Sequence, residues 1–175
     1  TSSDESWVLA TNAANELSKP DGPRVAVFEV DGFDTHAAQG ATNGAHADCL
    51  SDYDNIIRSL KSSMTKEAFD NTLILTLTEF GRTVEQNGGN GTEHGYGSAI
   101  LMAGGLLKKS QVFTDWPGLK KGNLFQGRDL LSTIDSRSVY ASAMSAVFDV
   151  EFDRIKNDVF WNEDIKDLSN LLFRV

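Results

Sequence analysis

The chain has 175 residues, of which 40% are hydrophobic and 23% charged, so it is long enough to bury a core as one domain. Its formal net charge of −9 comes without a basic cluster, which disfavours nucleic acid and anionic membrane surfaces as partners. A protein of this charge that handled an anionic substrate would need a local cation, either a metal ion or Arg82. No apolar run approaches the roughly 20 residues that a membrane-spanning helix needs.

The spacing of apolar residues predicts helices and strands in alternation. Helical spacing predicts a helix over residues 7–17 and a long amphipathic helix over 45–64. Runs rich in β-branched and other apolar residues predict buried strands over 24–30, 72–78 and 98–103. From this alternation we predict an α/β fold, a three-layer α/β/α sandwich with a mainly parallel sheet.

The second half of the chain adds smaller elements. Residues 111–113 are predicted to form a short edge strand, and Asp135 can cap a helix over 136–148. Residues 151–175 have the pattern of a peripheral tail with one or two short helices, which leaves 1–150 as the main domain. Because three strong strands make a small sheet, we expect missing strands to come from sequence outside this chain or from a partner chain.

Three short polar motifs stand where a buried strand ends or a loop begins, which is where open α/β sheets bind ligands. Together they bring two of the three histidines, several carboxylates and an arginine to loop positions. This combination predicts a metal or oxyanion site. The motifs are Gly32-Phe33-Asp34-Thr35-His36, Thr78-Glu79-Phe80-Gly81-Arg82-Thr83 and Gly91-Thr92-Glu93-His94-Gly95.

The first motif places a carboxylate and an imidazole two residues apart after a predicted strand. Carboxylate oxygen and imidazole nitrogen are the usual ligands of zinc and its neighbours, so Asp34 and His36 are candidate metal ligands. Asp31 is a second-choice ligand. The alternative is that Asp34 caps a helix and His36 packs, and the residues themselves leave both interpretations open.

The second motif places Glu79 directly after a buried strand, and Gly81 lets the backbone turn sharply there. Glu79 is therefore a candidate metal ligand or general base. Arg82 could bind a phosphate or sulfate group through two hydrogen bonds. The alternative is a simple salt bridge between Glu79 and Arg82.

The third motif follows a loop over residues 85–92 that is rich in glycine and asparagine, which predicts flexibility. Its His94 is a candidate metal ligand together with His36, whereas alone it would read as a surface histidine. We expect His46, at a predicted helix start, to be structural or exposed. Cys49 is the single cysteine, and its acidic neighbours should raise the pKa of its thiol, which argues against a catalytic nucleophile.

These motifs, in this order, resemble those of the bacterial family known as domain of unknown function 1501. That family carries Gly-Trp-Asp-Thr-His, Glu-Phe-Gly-Arg-Thr and Gly-Thr-Asp-His-Gly motifs, so Phe33 and Glu93 are conservative departures. The resemblance covers residues 22–150 and includes the segments 115–119 and 128–137. Members are usually longer and often begin with a twin-arginine export signal. The resemblance therefore implies a carboxyl-terminal half and a periplasmic or otherwise exported protein, with a cytoplasmic location as the alternative.

The family in turn resembles a distant branch of the alkaline phosphatase and sulfatase superfamily. That resemblance implies that His36 and His94 bind one metal and that Glu79 replaces the aspartate of a second metal position. Two departures stand against an intact two-metal site. Phe80 occupies the position of a metal-binding histidine, and Gly32 occupies that of an aspartate, so that Asp34 would have to substitute.

The resemblance implies a metal-dependent hydrolase of small phosphate or sulfate esters. Its cofactor would be a divalent metal, zinc first, with manganese or calcium as alternatives. Asp34, His36, Glu79 and His94 would be metal ligands, with Glu79 and Arg82 in catalytic roles. The nucleophile would belong to the amino-terminal half, so the chain alone should be inactive. The alternatives are a non-catalytic exported binding or assembly module and phosphomutase-type chemistry. A sheet edge exposed by truncation could pair two copies as a homodimer.

Overall fold

The computed structural model of the chain describes residues 3–174. Within that range it has six α-helices, one short 3-10 helix and four two-residue strands. None of the described helices combines the length and the apolar character needed to cross a membrane. The elements are α1 (Ser3–Leu17), α2 (Ala45–Ser63), α3 (Lys66–Asp70), β1 (Ile74–Leu75), β2 (Gly81–Arg82), β3 (His94–Gly95), β4 (Met102–Ala103), the 3-10 helix (Lys121–Asn123), α4 (Ser136–Phe148), α5 (Phe152–Asp158) and α6 (Ser169–Leu172).

The strands form two separate two-stranded sheets, and both pairings are antiparallel. Strand β1 pairs with β4, which places Ile74 opposite Ala103. Strand β2 pairs with β3, which places Arg82 opposite His94. The fold is thus a mixture of helices and small sheets, and the mainly parallel sheet of a three-layer sandwich is not seen in residues 3–174.

Two predicted strands are wrong. No strand is assigned over residues 24–30, where Val25 is 59% and Val27 88% exposed while Phe28 packs against the helices. Likewise no strand is assigned over 111–113. An apolar run becomes a strand only when another segment supplies its backbone ladder, and neither run has such a neighbour among the described residues.

The other two predicted strands are much shorter than expected. Only two residues of the run 72–78 and two of the run 98–103 are in regular strand geometry. Beyond them the two runs still touch, because the Thr76 backbone N–H donates to the Leu101 carbonyl over 3.0 Å. The two runs therefore pair through hydrogen bonds beyond the regular strands. Their antiparallel direction differs from the mainly parallel sheet that was predicted.

Helices α1 and α2 pack against each other and form one of the cores. Ala10 and Ala14 of α1 are fully buried against Ile56 and Leu60 of α2, joined by Met64. Small residues on one helix and large residues on the other let the two backbones approach closely. This confirms both predicted helices, although α1 begins four residues earlier than expected and α2 ends one residue earlier.

Helix α4 begins as predicted, because the Asp135 side chain accepts a hydrogen bond from the Arg137 backbone N–H. The tail carries two short helices, as expected, and its Leu172 and Phe173 are buried beside α4. Its last residue, 175, lies outside the described residues. The division into a domain of residues 1–150 and a tail stays a prediction. Helix α3, capped by Thr65, was not predicted.

Candidate functional site

The three polar motifs meet because a hairpin and a loop bring them together. Strands β2 and β3 place Arg82 beside His94. The first motif joins them through backbone hydrogen bonds, since the Thr92 N–H donates to the Thr35 carbonyl over 3.2 Å. The Thr35 and Thr92 hydroxyls also share one acceptor, the Gln39 side-chain oxygen, at 3.0 and 2.8 Å. Segments far apart in the sequence thus converge in one place.

The loop before the third motif is fastened by the side chain of Asn87. Its Oδ1 accepts hydrogen bonds from the N–H groups of Gly89 and Gly91 at 2.9 and 3.0 Å. Its Nδ2 donates to the His36 carbonyl at 2.9 Å. The backbones approach so closely that a Cβ on Gly91 would lie 2.2 Å from the His36 carbonyl carbon. The glycines and asparagines of this loop therefore form a compact turn docked on the first motif.

Asp34, His36 and His94 direct one ligand atom each to a common point. The distance from Asp34 Oδ1 to His36 Nε2 is 3.1 Å, and to His94 Nε2 it is 3.0 Å. The two Nε2 atoms are 3.1 Å apart. The three side chains are between 43% and 56% exposed, so the cluster opens to solvent. They are three of the four residues that the sequence predicted as metal ligands, and their ligand atoms lie close enough together that the group could hold a cation.

Arg82 fixes the carboxylate of this cluster. Its guanidinium donates to Asp34 Oδ1 at 2.6 Å, to the Phe33 carbonyl at 2.7 Å and to the Thr92 carbonyl at 2.9 Å. The hydrogen bond from His94 and then the contacts with Arg82 hold the pKa of Asp34 below its ordinary value, against the opposing effect of desolvation. Asp34 is therefore an ionised carboxylate at neutral pH, as a metal ligand must be.

Glu93 stands behind His36. Its Oε2 lies 3.0 Å from His36 Nδ1, and its Oε1 accepts a hydrogen bond from Asn87 Nδ2. The hydrogen bond from Asn87 and that from His36 lower the pKa of Glu93, again against desolvation. Sequence reasoning did not predict this contact, because nothing local to Glu93 indicates that it faces a histidine 57 residues earlier.

Phe80 covers one face of the His94 ring. The two rings are stacked, with centroids 3.7 Å apart and planes 10° from parallel. The Arg82 guanidinium lies over the same phenyl ring, 4.9 Å from its centroid. The Phe80 ring thus contacts both a histidine of the cluster and the arginine that binds the cluster's carboxylate.

Other candidates lie outside the cluster. Glu79 is exposed and does not contribute to the group of converging ligand atoms, and neither does Asp31. No helix begins at Asp34, so the capping alternative is wrong. His46 is half-buried and meets the Phe33 ring edge-on at 6.0 Å, in agreement with a structural role.

Cys49 behaves as its sequence context indicated. Burial is the main cause that raises the pKa of its thiol, and the neighbouring carboxylates Asp52 and Asp48 add to the shift. A thiol of this kind is a poor nucleophile.

The comparisons with known proteins give one match. The family described as Protein of unknown function (DUF1501) matches residues 13–151, which include all three polar motifs. No curated protein matches the chain significantly. No solved structure does so either.

Proposed function

The chain belongs to the protein family of unknown function DUF1501, and from that premise we propose that it is the metal-binding part of a hydrolase of phosphate or sulfate esters. The observation that carries the proposal is the convergence of Asp34, His36 and His94, whose ligand atoms lie 3.0–3.1 Å apart. Motifs distant in the sequence supply these three residues. The Arg82 guanidinium contacts Asp34, and the Glu93 carboxylate contacts His36.

The residues fit a divalent cation. Two imidazole nitrogens and one carboxylate oxygen are a donor set of catalytic zinc sites, which keep a fourth position open. In a zinc tetrahedron with bonds of about 2.1 Å, ligand atoms are about 3.4 Å apart. The atoms of Asp34, His36 and His94 would need to separate by only a few tenths of an ångström to reach it. Imidazole ligands favour zinc, whereas manganese and calcium prefer more oxygen ligands.

The roles of the residues follow from their contacts. A bound cation would act as a Lewis acid that stabilises charge on the ester oxygens. Asp34, His36 and His94 would hold it, and Arg82 keeps the Asp34 carboxylate in position. Glu79 is proposed as a general base or second-site ligand, and Arg82 as an additional contact for the anionic substrate. For both roles, the side chains of Glu79 and Arg82 would have to move toward the cluster when the substrate or a second ion binds.

The proposal extends to the fold and the location. The chain would be the carboxyl-terminal part of an alkaline phosphatase-like α/β/α domain, whose remaining part supplies the nucleophile and further strands. Large exposed apolar side chains support this, since Val27, Leu77 and Val112 are 88%, 69% and 90% exposed. Export to the periplasm and pairing of two copies belong to the same proposal.

The test is metal content and binding. The protein, purified without a histidine tag, should take up one zinc ion per chain in calorimetric titration. His36→Ala and His94→Ala should each abolish uptake. His46→Ala is the matched control, because His46 lies outside the cluster, and it should bind normally. The longer protein that contains this sequence should hydrolyse an aryl phosphate or an aryl sulfate only when the metal is bound. Absence of stoichiometric zinc, manganese and calcium binding would overturn the proposal.

Phe80 favours one alternative, a non-catalytic binding or assembly module of the same fold. Its ring occupies the position where a second metal ligand is expected from the phosphatase resemblance. Among residues 6–174, whose side chains the structure describes, there is no second group of three such ligands close enough to hold another ion. A stably folded protein that binds no metal and hydrolyses neither ester would favour this module.

A further inference from the structure

We propose that Glu93, oriented by Asn87, is a positioning residue that fixes the tautomer of His36 and so presents its Nε2 lone pair to the cation. The inference rests on the proposed function for the role of that cation. The hydrogen-bond chain itself is independent of any metal.

The chain of hydrogen bonds begins at the backbone. The N–H groups of Gly89 and Gly91 both donate to Asn87 Oδ1, at 2.9 and 3.0 Å. Because a backbone N–H is a donor, the amide atom that faces both N–H groups must be the oxygen of Asn87. The NH₂ group of Asn87 therefore points away from these two glycines. That group donates to the His36 carbonyl at 2.9 Å and to Glu93 Oε1. The orientation of the Asn87 amide is therefore determined by its neighbours.

The chain continues through Glu93 to the imidazole. An ionised carboxylate only accepts hydrogen bonds, and Glu93 Oε1 already accepts one from Asn87. Its Oε2, 3.0 Å from His36 Nδ1, makes a hydrogen bond there only if that nitrogen carries the proton. Asp34 Oδ1, 3.1 Å from His36 Nε2, is the competing acceptor, and we assign the proton to Nδ1 because Asn87 orients Glu93 and because Asp34 Oδ1 already accepts from Arg82. A neutral imidazole has one N–H, so His36 Nε2 is then the bare nitrogen.

The bare nitrogen points to the cluster. His36 Nε2 lies 3.1 Å from both Asp34 Oδ1 and His94 Nε2. A lone pair in that position is what a metal needs, and carboxylates that bind the far nitrogen of a ligating histidine have this effect in metal sites generally. His94 Nε2 lies within hydrogen-bond distance of both this lone pair and Asp34 Oδ1, so its N–H can be shared between the two acceptors.

Glu93→Gln gives a sharp test because glutamine has nearly the shape of glutamate but carries a hydrogen-bond donor. The substitution should therefore reverse the direction of the hydrogen bond with His36. Asn87 still presents its NH₂ group, so the new amide must turn its oxygen toward Asn87 and its own NH₂ toward His36. His36 Nδ1 then has to accept a hydrogen bond, and the proton moves to Nε2. A histidine protonated on Nε2 must first lose or shift that proton before it can ligate through that atom, which weakens metal binding. The matched control is Glu85→Gln, which removes the same charge from an exposed glutamate in the same region.

The experiment measures the tautomer by ¹⁵N NMR of the imidazoles in the metal-free full chain, at a pH where the spectra themselves show neutral rings. The His36 signals should report the Nδ1–H form in the wild type and in Glu85→Gln, and the Nε2–H form in Glu93→Gln. Zinc affinity, measured by calorimetry, should fall about 10- to 100-fold in Glu93→Gln and stay within about twofold in Glu85→Gln.

The outcomes separate the two proposals. An Nε2–H form of His36 in the wild type, or an unchanged tautomer in Glu93→Gln, would overturn the inference even if zinc binds. The tautomer swap without any zinc binding in the wild type would support the positioning role and refute the metal-dependent function. A loss of affinity without a swap would show that Glu93 acts through its charge alone.

Discussion

Arg82 joins three segments, so its replacement should destabilise the protein clearly. The guanidinium is 22% exposed and donates to the carbonyls of Phe33 and Thr92, which lie on different loops. In Arg82→Met the aliphatic length is kept and these hydrogen bonds are lost. Two half-buried carbonyls then lose a charged donor, and among the described residues the Phe33 carbonyl keeps only the hydrogen bond from the Thr35 backbone N–H at 3.0 Å.

The magnitude follows from those two bonds. A hydrogen bond to a charged group contributes about 1.5–3 kcal/mol, and partial exposure favours the lower end, so the pair should contribute about 3 kcal/mol. We assign no share to the ion pair with Asp34, because that carboxylate is exposed to solvent. For a domain of this size, the loss corresponds to a fall of about 6–12 °C in Tm.

Urea and thermal unfolding, followed by circular dichroism, measure the effect. The matched control is Arg58→Met on α2, whose side chain is 73% exposed and pairs with Asp54 one turn away. That change should alter the free energy of unfolding by no more than about 0.5 kcal/mol. If Arg82→Met were as stable as Arg58→Met, the two carbonyl hydrogen bonds would not hold the segments together and the reasoning would fail.

Two further predictions test the docked loop and the helix cap. Gly91→Ala should lower the free energy of unfolding by about 1–3 kcal/mol in urea titration, because its Cβ would collide with the His36 backbone, whereas Gly88→Ala, with nothing within 4 Å, should not. Asp135→Ala should remove the cap of α4 and about 1 kcal/mol at pH 7. The hydrogen bond from Arg137 lowers the native pKa of Asp135 below 3.8, so its stabilisation is complete above that value and is lost as the pH falls below it. In urea titrations the gap between wild type and variant should therefore narrow as the pH falls below 3.8, and a gap of constant size would contradict the assignment.

The sequence predicted the helices better than the strands, for a physical reason. A helix closes its hydrogen bonds within its own segment, so local spacing was enough to predict α2 and α4 nearly to the residue. A strand needs a partner from elsewhere, and the run 24–30 resembles a buried strand yet lacks one among the described residues. The sequence of neither strand indicates that β1 and β4 pair in the antiparallel direction.

The site was partly predictable. Asp34, His36 and His94 carry ligand chemistry in their side chains, so the sequence identified them and the structure brings them together. The roles of Glu93 and Asn87 depend on which atoms face each other across the loop, which no spacing rule contains. The same limit applies to the hydrogen bonds of Arg82 with Asp34 and two carbonyls, which its place in the sequence did not indicate, while its contact with a substrate stays a proposal.

The contacts of Arg82 and Asn87 explain how a site can be rigid where regular structure is scarce. Each side chain donates to a carbonyl of the first motif, Phe33 for one and His36 for the other, from a segment about fifty residues away. These bonds tie the first motif to the other two, so under the proposed function they would help to hold the donors near the positions that a metal requires. Preorganisation of this kind reduces the entropy that binding must overcome. It also implies that Arg82→Met should weaken zinc binding as well as stability, because both depend on the same crosslinks.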